Sequence, residues 1–368
     1  MKVLIAVDKF RGSLTADIVA QIIYESIKAR NPAWEIEIVP IFDGGEGTID
    51  AIIDSGFERI DVNAVDALSR SNKTYYGINH EKIVFIEMAK ICGTAQLAKN
   101  ELDPYRSTSL GLGIASRDAL ALNPSRIVIS LGGSASNDGG VGFLSALGAR
   151  LLDEFSQEVS PDLNGLKILK TLDISSLDPR AFKTEWSFLT DVDNPATGKN
   201  GATYIYGPQK GLATRDLKDV EETMVAWADI LVRTTGKDLR NLAGTGAAGA
   251  IALAGCSALP AVIGSASLHL GKVFSLEGKI SKADLIITGE GKFDAQSFMG
   301  KAPGYVFTLA KKHSKQVAVI AGSIDPQIRV GLNATCLMDF ASNLDAAMGE
   351  PRKWLKLAIS ELLDSLGV

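Results

Sequence analysis

The chain has 368 residues, with 43 acidic against 38 basic side chains and a formal charge of -5 at neutral pH. That balance, with no run of clustered basic residues, excludes nucleic acid as a partner, because a phosphate backbone demands concentrated positive charge. Hydrophobic residues make up 46% and charged residues 22%; such a chain buries a proper core, and its length exceeds the ~100–150 residues of one ordinary domain.

In chain order, Lys2–Val7 reads as a buried strand. Thr15 is placed to cap a helix whose Ile18, Val19, Ile22, Ile23 and Ile27 share one face at helical spacing. Residues 35–40 alternate as a second strand and run into the turn Asp43-Gly44-Gly45-Glu46-Gly47. Residues 57–65, 73–78 and 83–88 are consecutive strand-like segments with little helix between them, which predicts antiparallel pairing. Arg126–Leu131 returns to a strand, glycine turn and helix. Near the other end, 284–288 and 316–321 are compact aliphatic strands with a helical stretch, 303–313, between them. The pattern predicts an α/β fold of two domains with a cleft between them. One is a discontinuous, Rossmann-like parallel sheet from residues 1–62 plus 284–368; the other is an inserted mixed α/β domain, 63–283.

Cys92, Cys256 and Cys336 are few, distant and without a CxxC pair, so neither a disulfide framework nor a zinc site is expected. Met1–Asp8 is too short an apolar run for a secretion signal. A cytoplasmic location follows as the expectation. Residues 241–267 carry no charge, but their Gly, Ala and Ser content and Pro260 favour a packed glycine-rich loop and short helix over a membrane span. His80, His269 and His313 are isolated and expected in surface or packing roles, so the chemistry falls to Asp, Glu, Lys and backbone amides.

The strongest local motif is the loop of Gly132, Gly133, Ser134, Ala135, Ser136, Asn137, Asp138, Gly139 and Gly140, between the strand ending at Leu131 and an Ala/Leu-rich helix. Glycines let backbone N–H groups converge on an anion such as a phosphate or carboxylate. No GxxxxGK[ST] run exists, which excludes a P-loop. Gly244-Thr245-Gly246-Ala247-Ala248-Gly249 spells GxGxxG, but a polar segment precedes it where a dinucleotide fold needs a strand. Close packing, or a wall of the site, is the expected role. Acidic pairs follow three strands: Asp43 with Glu46, Asp191 with Asp193, and Glu290 with Asp294. Mg²⁺ takes one or two carboxylates beside substrate phosphates, so only some of these can be ligands. Cations to offset phosphate charge are available in Lys9, Arg11, Lys210 and Lys301, with glycine following Lys210 and shortly preceding it.

These blocks resemble, in order and over nearly the whole chain, the bacterial glycerate kinase family. The carrying segments are residues 6–14, 43–48, 85–89, 107–111, 132–140, 191–195, 200–202, 207–211, 246–249 and 288–294. Lys9 and Arg11 stand where the family's first loop usually has Ser and Lys; Arg11 keeps the charge in a different geometry. The resemblance implies ATP-dependent, Mg²⁺-assisted phosphorylation of D-glycerate to 2-phosphoglycerate, or to 3-phosphoglycerate, with a related small hydroxy acid as the alternative acceptor. On that reading Asp191, Lys210 and Arg11 are catalytic. Arg11 and Ser13 face the acceptor's carboxylate, with Asp8, Glu290 and Asp294 also binding substrate. Gly132, Gly133, Ser134, Asn137, Asp138, Gly139 and Gly140 hold the nucleotide, and Asp43, Glu46 and Asp191 are candidate metal ligands. Partners are small molecules, with no membrane, in a monomer or homodimer. The rival readings are an NAD-dependent hydroxy-acid oxidoreductase using residues 244–249 and a non-catalytic ligand sensor.

Overall fold

The computed structural model describes residues 1–10 and 12–367. The chain forms two compact units, residues 1–43 with 266–368, and residues 44–265. The strand pattern alone sets the breaks later, at 62/63 and 283/284. Two helices account for the difference. Thr48–Asp54 belongs with the Ile83–Glu87 strand, because the Ile49 N–H donates to the Glu87 carboxylate at 2.7 Å. Leu276 and Ile280, from the helix Leu276–Lys282, are buried with Leu4, Ala6 and Ile286 in the core of the first unit.

The first unit is a five-stranded, wholly parallel sheet, ordered Glu35–Ile38, Lys2–Val7, Leu285–Gly289, Gln316–Ala321, Asn333–Cys336. Alternation along the strands sorts its core into two faces. Val3, Ile5, Val7, Ile287 and Ile320 are buried with residues of the helices Ala16–Arg30 and Pro351–Ser365. Leu4, Ala6 and Ile286 are buried on the other face with Val306 and Leu309 of the helix Ala302–Lys312. Helices on both faces make a doubly wound sheet. In the helix Ala16–Arg30, Val19, Ile22, Ile23 and Ile27 are buried as the spacing predicts, with Asp17 in the first turn and Lys28 and Arg30 in the last, matching the helix dipole. Thr15 occupies the N-cap position, but its side chain makes no capping hydrogen bond.

The second unit is a six-stranded mixed sheet. Ala261–Gly264, Glu185–Leu189, Arg126–Ser130 and Ile83–Glu87 run parallel. Ser71–Ile78 and Glu58–Val65 then follow in antiparallel pairing. The tight connections are local: Asp66 Oδ1 accepts the Leu68 and Arg70 amides, and Asn79 Oδ1 accepts those of Glu81 and Ile83. Phe143 packs edge-on against both Trp186 and Phe188 in the buried core. Among the described residues, no helix is long and apolar enough to cross a membrane.

Candidate active site

In open α/β sheets, ligands bind beyond the carboxyl ends of the strands, at the point where strand order reverses. In the first unit that point lies between Lys2–Val7 and Leu285–Gly289, which flank each other at the centre of the sheet. Asp8 follows the first strand and donates its N–H to the Gly289 carbonyl at 2.8 Å. Burial, reinforced by the charge of Asp43, pushes the Asp8 carboxyl up to about 7, although Lys9 opposes the shift. Lys9 pairs with Asp43 at 3.6 Å. Glu290, the residue after Gly289, is buried and pairs with Lys301 at 3.3 Å through one oxygen. Its other oxygen and the Thr288 hydroxyl are buried with no hydrogen-bond partner. Burial also raises the Glu290 carboxyl, against the pull of Lys301. This end of the sheet therefore gathers carboxyl groups able to accept hydroxyl protons, beside two ammonium groups.

Two expected members of that set have local structural work. Asp294 caps a short 3-10 turn by accepting the Gln296 amide at 2.9 Å and pairs with Lys292 at 3.0 Å. Although burial works the other way, these contacts hold its carboxyl below the usual range. The Ser13 hydroxyl donates to the Phe10 carbonyl at 3.0 Å within the turn joining Phe10 and Leu14. Arg11 lies outside the described residues.

In the second unit the parallel strands end together at Glu87, Ser130, Leu189 and Gly264. Asp191 lies two residues past its strand and accepts the Ser265 hydroxyl at 2.8 Å. The 132–140 loop lies beside the 43–47 turn, because the Gly132 N–H donates to the Gly44 carbonyl at 3.2 Å. A Cβ at Gly132 would come within 2.6 Å of Gly45, and one at Gly133, where φ is +72°, within 2.7 Å of Glu46 Oε1. Only glycine fits that approach. The amides of Ala135 and Gly139 donate to Cys92 and Gly249 carbonyls. Those of Gly133, Ser134, Ser136, Asn137 and Asp138 have no protein acceptor among the described residues. The Asn137 side chain is fully buried with neither its oxygen nor its nitrogen hydrogen-bonded. Buried polar groups are almost always paired, so donors and an amide in this state mark a place for a ligand or ordered water.

Asp138 and Lys210 lie deeper than a phosphate loop suggests. Asp138 is fully buried and accepts the Ser109 N–H and hydroxyl, both at 2.7 Å, with the Gly140 and Gly142 amides at 3.1 and 3.3 Å. Burial raises its carboxyl against these donors. Lys210 is 3% exposed and directs its ammonium to the Ser136 carbonyl at 2.5 Å. Burial pulls the ammonium down to about 8, with Asp138 opposing. Both side chains hold the loop in shape. The GxGxxG spelling is explained the same way: Ala248, Gly249 and Ala250 all have positive φ, and a Cβ at Gly249 would lie 2.3 Å from the Ser136 carbonyl oxygen. The 246–250 segment packs on the 132–140 loop, and no strand leads into it.

Among the described residues, no group of three His, Cys, Asp or Glu side chains is arranged to hold a metal ion. Glu46, with an oxygen over Gly133, is a hard donor of the kind Mg²⁺ accepts singly beside phosphate oxygens. One buried carboxyl, in the 85–89 segment that carries the resemblance, has no role assigned from sequence. Glu87, 1% exposed, ends a buried strand, and burial pushes its carboxyl up to about 7 despite the Ile49 N–H. Its signal was a single carboxylate closing the aliphatic run Ile83–Glu87.

A model of the glycerate kinase family matches residues 3–366. The chain belongs to the glycerate kinase family. It is 37% identical over 333 residues to the glycerate 2-kinase of Escherichia coli K12, covering 90% of this chain and 87% of that one. It is 36% identical over 327 residues to the glycerate kinase of Bacillus subtilis 168, covering 88% and 85%. A crystal structure described as glycerate kinase 2 from Salmonella typhimurium LT2 matches with a TM-score of 0.77 and 33% identity over 100% of this chain and 98% of the other. Family membership makes this chain a kinase, a phosphotransferase with an alcohol acceptor and small-molecule substrates.

Proposed function

We propose that this glycerate kinase family member transfers the γ-phosphoryl group of ATP to the C2 hydroxyl of D-glycerate, giving 2-phosphoglycerate. The observation that carries the reading is the 132–140 loop, where the amides of Gly133, Ser134, Ser136, Asn137 and Asp138 and the Asn137 side chain have no hydrogen-bond partner among the described residues. Converging N–H groups at a strand's carboxyl end suit a polyphosphate. Asp191, held by Ser265, orients or deprotonates the attacking hydroxyl. Asp8 and Glu290 accept hydrogen bonds from the acceptor's hydroxyls, and Lys9, Lys301 and Arg11 serve its carboxylate. Lys210 fixes the loop through Ser136 and contributes positive charge from beneath it. Mg²⁺ would be held by one or two of Asp43, Glu46 and Asp191 and would neutralise phosphate charge. Phosphoryl transfer needs positioning and charge compensation more than covalent chemistry, and these are what buried carboxyls, amides and ammonium groups supply. The reaction is placed in the cytoplasm.

A coupled ADP-release assay across glycerate, other small hydroxy acids and sugars, with and without Mg²⁺, tests the reading. Glycerate- and Mg²⁺-dependent ADP release is expected. Release with another acid and none with glycerate would overturn the acceptor, and no release from ATP with any acceptor would overturn the donor.

A further inference from the structure

We propose that Glu87 is a positioning residue for phosphoryl transfer, fixing the Gly44–Thr48 turn so that Glu46 stands over Gly133. The inference rests on the kinase reading above. Glu87 closes the Ile83–Glu87 strand, in register with Ser130, the last residue of the strand that leads into the glycine loop. Its Oε2 accepts the N–H of Ile49, a residue 38 positions earlier in the chain. That bond ties down the first turn of the helix Thr48–Asp54, whose N-terminal amides have no partner within the helix.

The turn is braced a second time from within. The Thr48 hydroxyl and N–H both donate to the Gly45 carbonyl, at 2.7 and 3.2 Å. On its outer side, Gly44 accepts the Gly132 N–H and Glu46 Oε1 lies against Gly133. A buried carboxyl with one protein bond is a costly way to hold a backbone amide. Its location explains the choice: at the end of the strand paired with both Arg126–Ser130 and Ser71–Ile78, it transmits the rigid sheet to Glu46, whose carboxylate lies against Gly133. Glu87 acts through Glu46 and the loop and is not itself given a contact with substrate.

The test compares Glu87→Ala with Glu87→Gln, whose amide oxygen can still accept the Ile49 N–H. The measurements are kcat, KM for both substrates, and hydrogen exchange at the Ile49 amide. Glu87→Ala is expected to lower kcat by about 100-fold, the scale for a small misplacement of reacting groups, with KM changing far less and Ile49 exchange accelerated. Glu87→Gln is expected to restore kcat to within a few-fold and to restore Ile49 protection. Wild-type kcat in Glu87→Ala, or a Glu87→Gln enzyme as slow as the alanine variant with Ile49 still protected, would overturn the proposal. If the alanine variant does not fold, Thr48→Val carries the test, since it loosens the same turn from the other side. Lowered kcat with little KM change supports the proposal, and wild-type kcat overturns it. If the wild-type protein releases no ADP with glycerate, the kinase reading fails separately, and Ile49 exchange alone then decides whether Glu87 fixes the turn.

Discussion

The Ser265 hydroxyl donates to Asp191 Oδ1 at 2.8 Å, linking the ends of two adjacent parallel strands, Glu185–Leu189 and Ala261–Gly264. Asp191 is thereby held at the sheet edge by a residue 74 positions away. Asp191 is half-buried. Asp191→Asn keeps the shape and the acceptor oxygen for Ser265 but removes the proposed base. It is expected to lower kcat by about 10²–10⁴ with the melting temperature unchanged. Steady-state kinetics beside a thermal melt check this, and near-normal turnover would remove Asp191 from the mechanism. Ser265→Ala, which only loosens the carboxylate, should cost less.

Protonation of Glu87 should be visible in stability. Its carboxyl is raised from 4.5 to about 7 in the folded chain, so the folded state binds more protons than the unfolded state between those values. The stabilisation is complete below about pH 4.5 and is lost as pH rises through about 7. The span corresponds to about 3 kcal/mol. Asp8 adds a change of the same sign. Denaturant titrations at pH 4.5 and pH 8 should show wild-type stability falling with pH, and Glu87→Gln should lose less over the same interval.

Gly249 and Gly236 separate backbone strain from packing. Both have positive φ, +69° and +73°, but a Cβ at Gly236 meets nothing within 4 Å, whereas at Gly249 it would lie 2.3 Å from the Ser136 carbonyl. Gly236→Ala should cost only the backbone term, about 1 kcal/mol. Gly249→Ala should cost more and also weaken nucleotide binding, because it pushes on the loop. Chemical denaturation and nucleotide titration of the two variants check this.

Asp138→Asn tests the loop's interior. The carboxylate accepts from Ser109, Gly140 and Gly142, and an amide nitrogen turned toward any of these donors leaves it unpaired. A loss of about 1–3 kcal/mol per unpaired group is expected, measured by denaturant unfolding.

Much of the architecture was legible in local pattern. Aliphatic runs such as Lys2–Val7 and Gln316–Ala321 fit a parallel sheet covered on both sides, and the absence of much helix between the strand-like segments of residues 57–88 carried the antiparallel pairing. The positions of Asp191 and the glycine loop at strand ends were also legible, since a strand followed by glycine leaves little choice of direction. What was not legible depends on contacts distant in sequence. Lys210, flanked by nearby glycines, reads as a cation set to face phosphate, yet its partner is the Ser136 carbonyl, 74 residues away. Asp138 reads as a ligand-facing loop residue, but Ser109, 29 residues earlier, claims it. Glu87 looks like a strand's last polar residue until the Ile49 amide is seen above it. Thr15 shows the reverse: it has the right type and place for a cap, and no hydrogen bond forms.

Proton-coupled ³¹P NMR of the product made from D-glycerate, ATP and Mg²⁺ reads directly which hydroxyl receives the phosphoryl group. A new phosphomonoester resonance, split into a doublet by the single C2 proton, is expected. A triplet, from phosphate on the C3 methylene, would contradict the assigned hydroxyl. No new resonance, from folded protein, would contradict glycerate phosphorylation itself.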